Sequence, residues 1–166
     1  MSSAIAVVEV SGVYYDFIGN TLGVSSSLKA IVDLRERKTV NVNVLTHLEY
    51  SRVKTHLAAG LNFTAAKDRA QQEILAAFGF KADSTKFEDL SLYQITDAAE
   101  NLLATTAAFQ SMKSADMAEL YLNASAQDIS GNGRWDDDQT KAAIGDAVFE
   151  VDGDEVGGYL SEYNSF

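Results

Sequence analysis

The apolar residues of this chain change their spacing near residue 45. Before that point they alternate. Leu28, Ala30, Val32 and Leu34 are interleaved with Lys29, Ile31 and Asp33, and Val40, Val42 and Val44 with Asn41 and Asn43. Alternation puts one set of side chains on one face of a strand. After that point they recur at three to four residues, as in Phe63, Ala66, Ala70, Ile74 and Phe78. That is the stripe of an amphipathic helix. Strands first and helices after point to an α+β fold rather than a wound α/β sheet. The expectation is a small N-terminal antiparallel β-sheet or hairpin followed by a compact bundle of four to five helices.

At 166 residues the chain matches a single domain. It divides into a β-rich part over 1–45, a helical part over 46–150 and an acidic C-terminal tail over 151–166. Hydrophobic residues make up 46%, enough to fill a core, which excludes disorder over the whole chain. Proline is absent, so every helix must stop at a glycine, a polar cap or a packing boundary. Cysteine is absent too, which excludes a disulfide framework, a thiolate zinc site and a cysteine nucleophile. No apolar run approaches 18 residues, so no membrane span is expected. The start, Met1-Ser2-Ser3-Ala4, has neither a basic nor a long apolar region. It reads as a cytoplasmic start or as a chain without its export signal.

Residues 5–10 and 13–18 are β-prone. Gly19-Asn20 marks a turn, and 23–27 reads as a small polar loop. Residues 28–34 and 40–44 are expected to pair as a hairpin with the charged link 35–38 at its tip. Thr46-His47-Leu48-Glu49 reads as a capping box that starts a first helix, which stops at Gly60. A second helix is expected over 64–78, ended by Gly79, then a loop with a short turn over 80–95. Thr96 and Ser114 are expected to cap a third and a fourth helix. Residues 136–139 resemble an Asx cap for a fifth, running to about Val148. In the tail, Tyr159, Leu160, Tyr163 and Phe166 are spaced for a last helical turn against the body.

The net charge of −11 is unevenly spread. Residues 1–80 hold eight Lys/Arg against seven Asp/Glu, whereas 81–166 hold five against seventeen. The imbalance argues against nucleic-acid binding and against docking on anionic lipid. A solvated acidic face accounts for most of it. The sharper reading is a cation site, and 128–139 carries the best signal. In the spacing of an EF-hand loop the ligands are Asp128, Ser130, Asn132, the Arg134 carbonyl, Asp136 and Gln139, with Gly133 at the sharp turn. Gln139 is neutral where that pattern has a bidentate carboxylate. The segment resembles a dockerin-type calcium loop, of which this chain holds one copy. The candidate cofactor is Ca²⁺. Ordinary turn and cap chemistry explains the same residues without an ion.

Tyr14, Tyr15 and Phe17 on a strand and Trp135 in a loop are candidate sugar-stacking residues, since exposed aromatics offer flat amphipathic surfaces. Packing is the plainer role for each. His47 and His56 lie nine residues apart, about 13 Å along a helix, too far to share a metal. No Gly-x-Ser-x-Gly, phosphate-binding loop, dinucleotide fingerprint or His-Glu-x-x-His is present. Paired carboxylates remain the one route to hydrolysis, and no sequence feature marks a pair.

Several runs together resemble a known module. They are 28–34, then Val40-Asn-Val-Asn-Val-Leu-Thr-His-Leu-Glu-Tyr50 with Arg52 and Val53, Phe63-Thr-Ala-Ala-Lys-Asp-Arg-Ala70, Glu73-Ile-Leu-Ala-Ala-Phe-Gly79, Glu88-Asp-Leu-Ser-Leu92 and 128–137. The module is similar to one in uncharacterised surface lipoproteins of Fibrobacteres and Bacteroidetes, over about residues 9–166. The resemblance implies an extracellular or cell-surface location and supplies no catalytic residue. The leading expectation is therefore a non-enzymatic extracellular scaffold or binding module, with a polysaccharide or another surface protein as partner. A carbohydrate-binding module with a calcium-ordered loop is the alternative, and a hydrolase using paired carboxylates is a further one.

Overall fold

The structure, a computed structural model, describes residues 4–19, 21–112 and 114–150. The expected helical turn at Tyr159, Leu160, Tyr163 and Phe166 lies outside the described residues. The fold is α+β, among the described residues a two-stranded antiparallel sheet followed by five helices. The strands are β1 (Ile5–Asp16) and β2 (Thr21–Asp33). The helices are α1 (Val44–Ala58), α2 (Phe63–Ala77), α3 (Asp97–Gln110), α4 (Ala115–Asn132) and α5 (Asp138–Phe149). A short 3₁₀ turn, Phe87–Asp89, stands alone between α2 and α3.

The hairpin differs from the expected one. β2 pairs with β1, from Ile5 opposite Asp33 to Asp16 opposite Thr21, with a bulge between Val13 and Tyr15. The run 23–27, expected as a loop, lies inside β2. Asp16 closes the turn by accepting the amides of Ile18 and Gly19, both at 3.0 Å, the local bonding that favours Asp before a turn. The segment 40–44 is not a strand. Its Asn41 amide donates to the Glu88 carbonyl, and the Asn43 side-chain amide donates to the Phe87 carbonyl at 2.8 Å. The 3₁₀ turn therefore holds this segment in place of a strand partner.

Asn43 also caps α1. Its side chain accepts the Thr46 amide, and the Thr46 hydroxyl accepts the Asn43 amide. The capping box is thus Asn43 with Thr46, three residues earlier than Thr46 with Glu49. Glu49 is released from the cap and turns into the interior. Thr96 and Ser114 cap α3 and α4 as expected. Asp137, rather than Asp136, caps α5 by accepting the amides of Gln139 and Thr140.

α1 is the central helix, packed on α2, α4 and β2. The main core gathers Leu45, Leu48, Ile74, Phe87, Leu102 and Ile129 among others. A second cluster joins Ile31 of β2 to Val53 of α1 and to Ala66 and Ala70 of α2. A two-stranded hairpin is marginal by itself. Here buried Ala30, Ile31 and Val32 moor it, and a buried Val or Ile contributes about 1.5–3 kcal/mol.

Arg52 ties three helices together from inside. It is 5% exposed. Its guanidinium grips the Glu73 carboxylate of α2 through Nε at 2.6 Å and Nη2 at 3.0 Å. Its Nη1 donates to the carbonyls of Ser130 and Gly131 in the last turn of α4, which otherwise lack helical partners. Gly133 then ends α4 with φ +80°, and a Cβ there would lie 2.6 Å from Glu73 Cδ. Gly60 has a similar φ of +93° but open space where a Cβ would project. Gly133→Ala is therefore expected to cost at least about 1 kcal/mol more than Gly60→Ala, since both carry conformational strain and only one carries a clash. Urea unfolding of the two variants checks this, and equal losses would contradict the crowding at Glu73.

Candidate functional site

A groove of about 610 Å³ opens between the hairpin and the helical body. Its floor is core, formed by Leu102 and Phe109 of α3 and Leu122 of α4, all buried. One wall is the outer half of β1, with Val10, Val13, Tyr14 and Tyr15. Facing it are the segment 40–43, Val44 at the start of α1, and residues 90–93. Gln110 holds the hairpin tip over α3. Its side-chain oxygen accepts the Phe17 amide, and its side-chain nitrogen donates to the Tyr15 carbonyl, both at 3.2 Å. That clamp fixes the wall relative to the floor.

The groove is mainly aliphatic, with three tyrosines, Tyr14, Tyr15 and Tyr93, on its walls. Tyr14 is half-buried, whereas Tyr15 and Tyr93 are exposed. Burial raises the pKa of the Tyr14 hydroxyl, and the charges of Asp16 and Glu119 raise it further. Among the described lining residues Glu119 is the one charged side chain. The volume falls in the range of small-molecule sites, about 300–1,000 Å³.

No protein family, curated protein or solved structure matches the chain. What the site can do is therefore read from its own geometry.

Two of the four aromatic candidates come together, since Tyr14 and Tyr15 both line the groove, whereas Phe17 is buried outside its lining. Trp135 does not join them. It packs in the main core region against Phe78, with ring centroids 4.8 Å apart. Tyr93 and Glu119 were not singled out by the sequence reading. Tyr93 sits in a stretch read only as loop, and Glu119 is one of many acidic helix residues. No local pattern distinguishes either.

The 128–139 segment is not a twelve-residue loop. α4 continues through Asn132, so Asp128, Ser130 and Asn132 are helical. Only residues 133–137 connect α4 to α5. Asp128 Oδ2 accepts the amides of Asp136 at 2.6 Å and Asp137 at 3.1 Å. The Asn132 side chain donates to Asp136 Oδ2 and accepts the Arg134 amide. The amide of Gln139, at the position of the missing carboxylate, donates to Asp137. The Ser130 hydroxyl donates to the Gln127 carbonyl. Among the described residues no group of three or more His, Asp or Glu side chains is placed to hold a metal ion.

The histidines lie apart on α1. His47 Nε2 meets Asn123 Oδ1 at 3.1 Å, and burial lowers its pKa. His56 Nε2 meets Glu73 Oε2 at 2.8 Å.

Carboxylates do pair, but in the interior. Lys67 lies between Glu49 and Glu88, bonded to Glu49 and at 2.9 Å from Glu88 Oε2, with all three side chains buried. Arg37 Nε reaches Glu88 Oε1 at 3.1 Å. None of these residues lines the groove. Burial pushes the Glu49 carboxyl up to about 7; Lys67 opposes that rise and the Glu88 charge adds to it. Lys67 is itself buried, which lowers its pKa, but the two carboxylates outweigh burial and raise it. A second recess, polar and about 380 Å³, includes Arg37, Lys38 and Asp89. There Arg37 lowers the pKa of Asp89, the opposite of what a general acid needs.

Two outcomes follow for the charged groups. Burial would raise Glu73, but Arg52, His56 and Arg69 overcome it and hold the carboxyl at about 2. A depressed acid stabilises the fold above its unfolded value near 4.5, and that contribution is lost as pH falls toward 2. Glu73→Gln is thus expected to lose about 3 kcal/mol at pH 7, with the deficit shrinking below pH 4.5. Glu49 has the reverse sign, because a raised acid weakens the fold as pH climbs from 4.5 through 7. The stability of Glu49→Gln relative to the parent should therefore improve over that interval. Chemical denaturation across pH 2.5–8 reads both.

For the α4–α5 connection, Asp128→Ala is expected to lose about 1–2 kcal/mol equally in 5 mM CaCl₂ and in EDTA, because the lost bonds are to main-chain amides. A loss confined to the calcium sample would instead assign the carboxylate to an ion.

Proposed function

We propose that this chain is a non-enzymatic binding module of a bacterial cell surface, and that its ligand lies in the groove between β1 and the α3–α4 floor. The observation that carries the reading is the groove itself, an open apolar space of about 610 Å³ walled by Tyr14, Tyr15 and Tyr93. Soluble monomers seldom leave apolar surface of this kind uncovered without a use for it. Buried apolar contact supplies the attraction, and the tyrosine hydroxyls with Asn41 and Gln110 supply direction. The cell-surface location rests on the resemblance of the sequence to the lipoprotein module.

A polysaccharide is the second reading. Its support is that Tyr14 and Tyr15 share one groove, as a sugar-stacking platform requires. The aliphatic residues around them favour a ligand with an apolar body instead. A calcium ion would enter this reading only by ordering the α4–α5 connection, as the EDTA comparison above measures.

Titration with Nile red, a neutral dye that brightens in apolar sites, tests the site. Saturation near one equivalent is expected. A Val13→Asp, Tyr93→Ser double variant should lose the signal while keeping its unfolding temperature, since both side chains are exposed. Undiminished binding by that variant would remove the groove from the proposal. Displacement of the dye by soluble gluco-oligosaccharides would favour the polysaccharide reading, and recovery of the native chain in the cytoplasm would end the surface assignment.

A further inference from the structure

We infer that the groove selects an apolar cation, a ligand with an aliphatic or aromatic body and one ammonium group. This rests on the reading of the groove as a ligand site and adds the sign of the ligand's charge.

Three observations point the same way. Among the described residues that line the groove there is no Lys, Arg or His, and Glu119 is the one charged side chain. Glu119 stands on α4 beside the floor residues Ala118 and Leu122, half-buried rather than out in solvent. Three tyrosines line the same groove, and the face of an aromatic ring carries the negative lobe of its quadrupole. Burial is the first cause that raises the pKa of the Tyr14 hydroxyl, and two carboxylates add to it. Asp16 and Glu119 both act through space on the Tyr14 hydroxyl and hold its proton more tightly.

The charge of the occupant then decides how well it fits. Any apolar body that fills the groove displaces water from around Glu119. An anion would bring a second negative charge toward a carboxylate that has lost solvent, with no basic side chain among the described lining residues to offset it. A neutral ligand gains the apolar contact but leaves Glu119 less hydrated and unanswered. An ammonium answers Glu119 directly and rests against tyrosine faces. The expected order is cation, then neutral, then anion. The strongly negative second half of the chain adds long-range attraction of the same sign.

Three probes with one body separate the cases: 3-phenylpropylammonium, 3-phenylpropanol and 3-phenylpropanoate. Each is titrated into the ¹⁵N-labelled full chain and followed by amide chemical shifts. Shifts are expected at Tyr14, Tyr15, Tyr93 and Glu119, with the ammonium binding about fivefold more tightly than the alcohol and the carboxylate weakest. Glu119→Gln should close most of the gap between the ammonium and the alcohol, and the alcohol's own affinity should not fall. Added salt should weaken the ammonium alone. If the alcohol or the carboxylate binds as tightly as the ammonium, the charge preference is overturned and the groove survives as an apolar site. If none of the three moves the groove resonances, the groove reading falls with it. Groove resonances that move on dilution of the protein alone would show a second copy as the occupant and overturn the inference.

Discussion

A buried guanidinium is tolerated only where its N–H groups are answered, and that requirement organises the helical body. Arg52 of α1 is answered by the Glu73 carboxylate of α2 and by two carbonyls that end α4. Glu73 in turn holds His56 of α1 and Arg69 of its own helix. Removing one member would leave a buried charge without its partner, which is far costlier than the loss of an exposed pair. The same network explains why Gly133 stands where it does. The chain must leave α4 in a left-handed conformation at the point where Glu73 leaves no room for a side chain.

The groove follows from the other half of the molecule. A sheet of only two strands cannot cover itself, so it leans on the helices through the inner half of β2. The outer half of β1 then stands against the body at a distance set by Gln110 and the hairpin tip. What lies beneath is core that no element of the chain's own described part covers. The aliphatic floor and the tyrosine walls are consequences of that geometry, and among the described lining residues Glu119 supplies the one charge.

The class of fold was legible because periodicity reports which faces are buried, and that holds before any contact is known. Thr96 and Ser114 were legible as caps because capping is a local exchange between a side chain and an amide two or three residues on. The errors have one cause. Val40, Val42 and Val44 alternate as a strand does, but a strand also needs a partner, and β2 spends its ladder on β1. Asn43, the polar residue inside that alternation, is the cap of α1. Thr46 and Glu49 satisfy the capping pattern, yet Asn43 takes Thr46, and Lys67 takes Glu49. The 128–139 spacing fits a loop only if α4 has already ended. Arg52, 78 positions away, bonds the Ser130 carbonyl in the turn that carries α4 through to Asn132.

Of the candidate site, Tyr14 and Tyr15 were visible in the sequence as aromatics on a β-prone segment, and Trp135 as an aromatic beside a turn. Only the tertiary structure separates them, putting the tyrosines on a groove wall and the indole against Phe78. Tyr93 and Glu119 became part of the site solely by being carried there. The sequence by itself determined the order of strands and helices, two glycine stops, two helix caps and the acidity of the second half, because each depends on neighbours within a few residues or on none. Strand pairing, the fate of Glu49 and Asp128, and the groove were decided by the tertiary structure. Each depends on which distant group reaches a polar atom or apolar face first, and a spacing along the chain carries no record of that competition.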